Sequence, residues 1–164
     1  SFHGGLIGVI FISYYFIKNK NIELFQFTDV LAIITPIGLF LGRIANFINS
    51  ELIGTPTNLP WSVVFVKIDN IPRHPSQIYE ALLEGLLLFL IINLIFKYKK
   101  IKGYVSAIFL ILYGLFRILA EQFRLPDEHL GYIFGFLSMG TILSLIMLFT
   151  GLIIFIYVKY NRQN

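Results

Sequence analysis

Residues 130–158 read LGYIFGFLSMGTILSLIMLFTGLIIFIYV, a stretch that contains no charged side chain. Because a helix rises about 1.5 Å per residue, roughly 20 residues cross a hydrocarbon core about 30 Å thick. The rest of the chain has the same character, with 57% hydrophobic, 16% aromatic and only 13% charged residues. The sequence therefore predicts an all-α integral membrane protein.

Five apolar runs of suitable length lie between the charged residues. They cover approximately residues 4–17, 28–49, 77–96, 104–123 and 134–158. No long polar stretch separates them, so we expect one membrane domain over residues 1–164. The chain opens at Ser1 with a short first run and no basic leader. We therefore expect it to begin inside a longer protein.

Basic residues follow the first, third and fifth runs, which places them all on one side if the spans alternate in direction. The positive-inside tendency makes that side cytoplasmic, with the C-terminus there and the loops of residues 50–75 and 125–133 outside. Short basic clusters of this kind indicate membrane topology, and no nucleic-acid partner is expected. The absence of cysteine excludes a disulfide framework, a thiolate metal site and a Cys nucleophile in this chain. The basic residues are Lys18, Lys20, Lys97, Lys99, Lys100, Lys102, Lys159 and Arg162.

Polar residues gather at the predicted external ends of the spans. Arg43, Asn46 and Ser50 share one helix face in the second span. In the fourth span, Arg117 is four residues from Glu121, so the two side chains can pair. An ionisable group inside a span is costly and indicates function by default. The alternatives are that Arg43 reaches to the membrane surface as a helix-end residue, and that the Arg117 pair is structural.

Two carboxylates and a histidine extend this polar group. Glu80 and Glu84 lie one turn apart in the third span, as structural partners of the arginines or as an acid and base pair. His3 either caps the first helix or acts as a base. Gly4 and Gly5 allow close backbone approach at a helix start, where free N–H groups favour an anion. With arginines nearby, these features predict a phosphate site at headgroup depth, and a phospholipid is the natural ligand.

Four blocks of the sequence resemble the prolipoprotein diacylglyceryl transferase family over essentially the whole chain. The blocks are SFHGG at residues 1–5, GRIANFINSE at 42–51 with Gly54, RHPSQIYE at 73–80, and YGLFRILAEQFR at 113–124 followed by Pro126-Asp127. Ser138-Met139-Gly140 is a weaker match. Two positions depart from the family pattern, because Ala45 replaces a common Gly and Thr141 replaces a common Gln.

The resemblance implies transfer of the diacylglyceryl group from phosphatidylglycerol to the lipobox cysteine in a prolipoprotein signal peptide, without metal or cofactor. It also implies that this chain lacks the N-terminal spans of full family members. The implied location is the bacterial cytoplasmic (inner) membrane, with the active site toward the periplasmic face. The base, His3 or Glu121, is left open, and the alternative functions are a non-catalytic polytopic lipid-binding protein or a small transporter. The implied catalytic residues are His3, Arg43, Arg117 and Glu121. The implied phosphatidylglycerol-binding residues are Arg43, Asn46, Asn49, Glu51, Gly54, Gly4, Gly5, Tyr79, Glu80 and Arg124.

Overall fold

The computed structural model of the chain describes residues 2–99, 101–125, 132–133 and 137–161, without the side chains of residues 2–6, 132–133 and 137. Five helices and two short antiparallel strand pairs account for most of these residues. The helices are α1 (Phe2–Lys20), α2 (Leu24–Asn49), α3 (Ser76–Tyr98), α4 (Tyr104–Glu121) and α5 (Met139–Asn161). The strand pairs are β1 (Val63–Val64) with β2 (Pro72–Arg73), and β3 (Tyr132–Ile133) with β4 (Leu137–Ser138).

The all-α membrane prediction is confirmed in the part of the chain that is described. Four of its helices, α2 to α5, are long and apolar enough to cross a bilayer. The predicted first span lies within α1, which continues to Lys20. The predicted start of the last span is wrong, because α5 begins at Met139 rather than at residue 134. The two residues before it form β4, whose backbone pairs with β3 instead of with the next helical turn.

The start of α2 and the junction between α3 and α4 meet at one end of the bundle, named here the lysine end. Lys102 of the junction pairs with Glu23 at 2.6 Å. The buried carboxylate of Asp29 accepts hydrogen bonds from the backbone N–H groups of Gly103 (2.7 Å) and Ser106 (2.8 Å). A residue of α2 therefore caps the start of α4, where N–H groups lack helical partners. The opposite end, named the loop end, carries the loop between α2 and α3.

Close packing between α4 and α5 fixes the relative position of these two helices. A Cβ added to Gly114 would lie 2.7 Å from the carbonyl oxygen of Ser144, and one added to Gly151 would lie 2.9 Å from that of Ala107. Small residues at such crossings let helix backbones approach inside a membrane, where van der Waals contact drives association. As a result, the end of α4 and the start of α5 lie side by side at the loop end.

Candidate active site

Five charged side chains from three helices form a buried network at the loop end, named here the Arg–Glu cluster. Glu80 of α3 lies at its centre, because one carboxylate oxygen contacts Arg117 Nη1 and the other lies 2.9 Å from Arg43 Nε. Glu84 is a looser partner, 3.3 Å from Arg43 Nη2 and 3.6 Å from Arg117 Nη1. Glu121 Oε2 lies 2.7 Å from Arg117 Nη2, so the pair expected from their spacing is present.

The start of α5 adds a neutral partner to this cluster. The hydroxyl of Ser138 donates a hydrogen bond to Glu121 Oε1 at 2.6 Å. A Cβ on Gly140 would lie 2.6 Å from the same oxygen, so glycine leaves room for the carboxylate. Both oxygens of Glu121 are therefore engaged, one by Arg117 and one by Ser138. The weak sequence match around Ser138 was the signal for this contact.

A close helix crossing brings Arg43 to the two carboxylates of α3. A Cβ on Gly85 would lie 2.6 Å from the Cβ of Phe40 on α2, which is closer than real Cβ contacts allow. Arg43 comes nearly one helical turn after Phe40, so this crossing sets it beside Glu80 and Glu84. The same part of α3, Ala81–Leu87, is a π-helix, a rare geometry that occurs often at functional sites.

The described side chains of the Arg–Glu cluster carry two positive and three negative charges when all are ionised. The side chains of Glu80 and Glu84 are 0% exposed, those of Arg117 and Arg43 only 7% and 15%. Removing such charges from water is costly, and ion pairing offsets the cost only where the contacts are close. Each arginine here is held by at least two carboxylates, which fixes its position more firmly than one pair would.

A strained turn follows α2 and carries Glu51, one of the expected lipid-binding residues. Ser50 and Leu52 have φ of 61° and 53°, in the left-handed region that non-glycine residues rarely adopt. Buried side chains from the start of α3 hold this turn, because Gln77 Nε2 donates to the Glu51 carbonyl at 2.6 Å and Ser76 Oγ donates to the Leu52 carbonyl at 3.1 Å. Strain of this kind persists only where surrounding contacts enforce it.

Gly54 lies where three of the sequence blocks meet. A Cβ there would be 2.2 Å from the carbonyl oxygen of His74 and 2.8 Å from that of Phe123, so only glycine fits. Its backbone bridges to Arg124, just after α4. Gly54 and the backbone of Arg124 thus join the loop to the end of α4.

The expected site residues do not all meet at the Arg–Glu cluster. Asn46 is half-buried and Asn49 is exposed in the last turns of α2, while Glu51 is exposed in the turn that follows. Tyr79 lies on another face of α3 from Glu80, since neighbouring helical residues are about 100° apart. Its hydroxyl accepts a hydrogen bond from Trp61 Nε1 at 2.8 Å. The structure describes no side chains for residues 2–6. The expected roles of His3, Gly4 and Gly5 therefore lie outside the described residues.

Sequence reasoning left the roles of several residues open or did not find them. The sequence left Glu80 and Glu84 as either structural partners of the arginines or an acid and base pair, and the structure shows both carboxylates bound to arginines. Ser76 and Gln77 gave no chemical signal beyond their place in the third block. Their function, holding the strained turn from the neighbouring helix, depends on tertiary contacts that spacing along one helix does not reveal.

Comparison with known proteins shows which family the chain belongs to. The family model for prolipoprotein diacylglyceryl transferase matches residues 1–157. A phosphatidylglycerol–prolipoprotein diacylglyceryl transferase of Rickettsia felis is 53% identical over 92% of this chain and 60% of its own length. Proteins of the same name from Methylococcus capsulatus and Rhodospirillum rubrum are 48% and 44% identical over 100% and 97% of the chain, and 63% and 60% of their own lengths. The chain thus spans about three fifths of these relatives, and it belongs to the prolipoprotein diacylglyceryl transferase family.

Proposed function

We propose that this chain supplies the phosphate-handling site of an enzyme that transfers the diacylglyceryl group from phosphatidylglycerol to the lipobox cysteine of a prolipoprotein. The names of its relatives support this substrate pair. The Arg–Glu cluster supports a site of this kind, because five charges gathered inside a membrane bundle are expensive to maintain and indicate function. The product would be a thioether, and glycerol phosphate would leave.

The observation that carries the proposal is the difference between the two arginines. Both Nη atoms of Arg117 lie in ion pairs. Arg43 is more exposed, and no ion pair among the described residues uses its Nη1. Arg43 is therefore the better donor to an incoming phosphate, with Asn46 about one turn further along the same helix. Arg117 stabilises the carboxylates that hold Arg43 in position. It also adds a second positive charge near the proposed phosphate site.

The reaction explains why a fixed cation is needed. The cysteine thiol loses its proton and its sulfur forms a bond to the glycerol carbon of the lipid. The bond between that carbon and the phosphate oxygen breaks, and its electron pair leaves with the phosphate. Donors fixed where this charge develops lower the barrier, since they need no reorganisation during the step. The five described side chains carry a net charge of −1, so their carboxylates would repel a phosphate. The phosphate must therefore contact N–H donors that point away from the carboxylates.

The residue that accepts the proton of the cysteine thiol is His3 or Glu121, since both side chains can act as bases. A thiol with an ordinary pKa of about 8.5 is only a few per cent thiolate at neutral pH, so a base assists the attack. Glu121 is committed to Arg117 and Ser138 through both oxygens. We therefore assign Glu121 to positioning Arg117 and propose His3 as the base.

We also propose that the lysine end is cytoplasmic and that the Arg–Glu cluster faces the outer side of the bacterial cytoplasmic membrane. The lysines at the junction of α3 and α4 support this orientation through the positive-inside tendency. Prolipoproteins would then meet the cluster after crossing the membrane.

A chimeric enzyme tests the function. The chain replaces the matching segment of the Rickettsia felis relative, and the product is incubated with phosphatidylglycerol and a lipobox peptide. We expect the thioether mass and free glycerol phosphate, and we expect Arg43→Ala and Arg117→Ala to abolish both while the protein still inserts into membranes. Lipid binding without thioether would support the lipid-binding alternative, and transport of lipid without chemical change would support the transporter.

A further inference from the structure

The loop between α2 and α3 turns large apolar side chains outward, and these are named here the loop face. Their exposed fractions run from 42% to 79%, the largest at Val66. Only two charged residues, Lys67 and Asp69, occur between residues 52 and 72. Exposed apolar side chains concentrated in one loop, with few charges between them, indicate contact with a partner or a membrane. The loop face consists of Trp61, Val64, Val66, Ile68 and Ile71.

The loop is anchored, so the exposure of these side chains is built into its fold. The buried Arg73 guanidinium pairs with Asp69 at 2.6 Å and donates to the Gly54 carbonyl at 3.2 Å. The hydrogen bonds from Arg73 lower the pKa of the Asp69 carboxyl below its ordinary value, so the anchor is charged at neutral pH. Phe65 is buried and packs edge-on against Phe47 of α2, with ring centroids 5.8 Å apart.

Strand register explains which side chains point outward. Val63 pairs with the buried Arg73, and Val64 pairs with the exposed Pro72. Directly opposite residues of an antiparallel pair lie on the same face, so Val64 and Pro72 form the outer side of this hairpin. Val66 is exposed two residues further on, past the buried Phe65.

At Trp61, the loop face adjoins the outer surface of the membrane-spanning helices. Trp61 and Leu59 line an apolar groove of about 410 Å³ together with Leu82 of α3 and Leu119 of α4. Both of the latter side chains are exposed on the flanks of spans, where the solvent is lipid. The indole of Trp61 is tied to the first turns of α3 through its hydrogen bond to Tyr79. Lipid on the flanks of these helices would therefore reach the loop face at Trp61.

We propose that the loop face inserts into the boundary between headgroups and acyl chains of the bilayer at the loop end. A tryptophan beside apolar residues suits this depth, because its ring is amphipathic. Lys67 can extend its apolar stem through the same layer and place its ammonium among the headgroups. The loop would then hold the loop end of the bundle against the leaflet. This inference concerns the seating of the loop and does not depend on the transfer reaction.

The single tryptophan of the chain gives a direct test. The chain is placed in nanodiscs of phosphatidylcholine and phosphatidylglycerol, with bromine atoms at defined depths on the acyl chains. We expect Trp61 emission to be quenched most strongly by bromines about 5–10 Å below the headgroup boundary. Acrylamide in the water should quench it severalfold less than it quenches N-acetyltryptophanamide.

A second probe removes the influence of protein contacts on Trp61. Val66→Trp is made together with Trp61→Phe, because Val66 is the most exposed member of the loop face. It should show the same shallow lipid quenching, whereas Leu86→Trp in the same background, within α3, should respond most to deeper bromines. Circular dichroism confirms that each variant is folded.

Three results would overturn the inference. Full quenching of Val66→Trp by acrylamide with no response to brominated lipid would place the loop face in water. Shielding from both quenchers would show that protein covers it. Loss of the lipid response when an apolar signal peptide is added would identify the face as a peptide-docking surface instead.

Discussion

Replacing the two buried carboxylates of α3 one at a time tests whether Glu80 is the centre of the Arg–Glu cluster. In Glu80→Gln, the amide oxygen still accepts a hydrogen bond from one arginine. The amide NH2 faces the other arginine, and because both groups are donors, they cannot bond to each other. Because Glu80 bridges Arg43 and Arg117 through both oxygens, the change breaks two close ion pairs. We expect a loss of about 3–5 kcal/mol in the free energy of unfolding, as for other broken buried pairs.

Glu84→Gln is the matched control, since Glu84 lies one turn away on the same helix and is equally buried. Its contacts with the arginines are longer, at 3.3 and 3.6 Å. Both substitutions remove one negative charge from the cluster, so the contact distances distinguish them, and we expect a clearly smaller loss for Glu84→Gln than for Glu80→Gln. Unfolding by sodium dodecyl sulfate in mixed micelles, followed by circular dichroism, measures both variants. Equal losses, or a larger loss for Glu84→Gln, would refute this description of the cluster.

Further predictions concern the helix crossing, the lysine end and the loop. Gly85→Ala should cost about 1–3 kcal/mol by overpacking, whereas Gly38→Ala, which meets nothing within 4 Å, should be neutral or stabilising in the same unfolding assay. Asp29→Ala should cost about 3 kcal/mol, since it leaves the buried donors at the start of α4 without their charged acceptor. Because the pKa of Asp69 is lower in the folded protein, its contribution is present above the ordinary aspartate pKa and is lost as the pH falls through the lowered value. Trp61 emission should therefore change in strong acid, and Asp69→Asn should remove that change.

The membrane-spanning architecture was predictable from the sequence, because span length and apolarity follow from bilayer thickness alone. The Arg117 to Glu121 pair was predictable for a similar reason, since helical spacing places both on one face. The start of α5 was not, because residue 137 is apolar enough for a span yet pairs its backbone with β3.

The centre of the candidate site depended on contacts between helices, which a single sequence does not specify. The sequence allowed Glu80 to be a partner of an arginine, but it did not indicate that Glu80 would bridge arginines from two other helices. That arrangement follows from the close crossing at Gly85 and from the π-helical segment around it. The capping of α4 by Asp29 could not be predicted either, because the backbone groups that donate to Asp29 lie more than 70 residues further along the chain.

The transfer rate of Arg43→Lys, in the chimeric enzyme, tests the central claim most directly. Lysine keeps the positive charge beside Glu80. It loses the planar guanidinium group, whose several N–H donors let Arg43 pair with carboxylates and also donate to a phosphate. Release of glycerol phosphate should fall by a factor of about 10² to 10³, as when a fixed donor to a developing anion is removed, while the unfolding midpoint stays close to that of the parent. Transfer at the parent rate would contradict the assignment of Arg43 to the lipid phosphate.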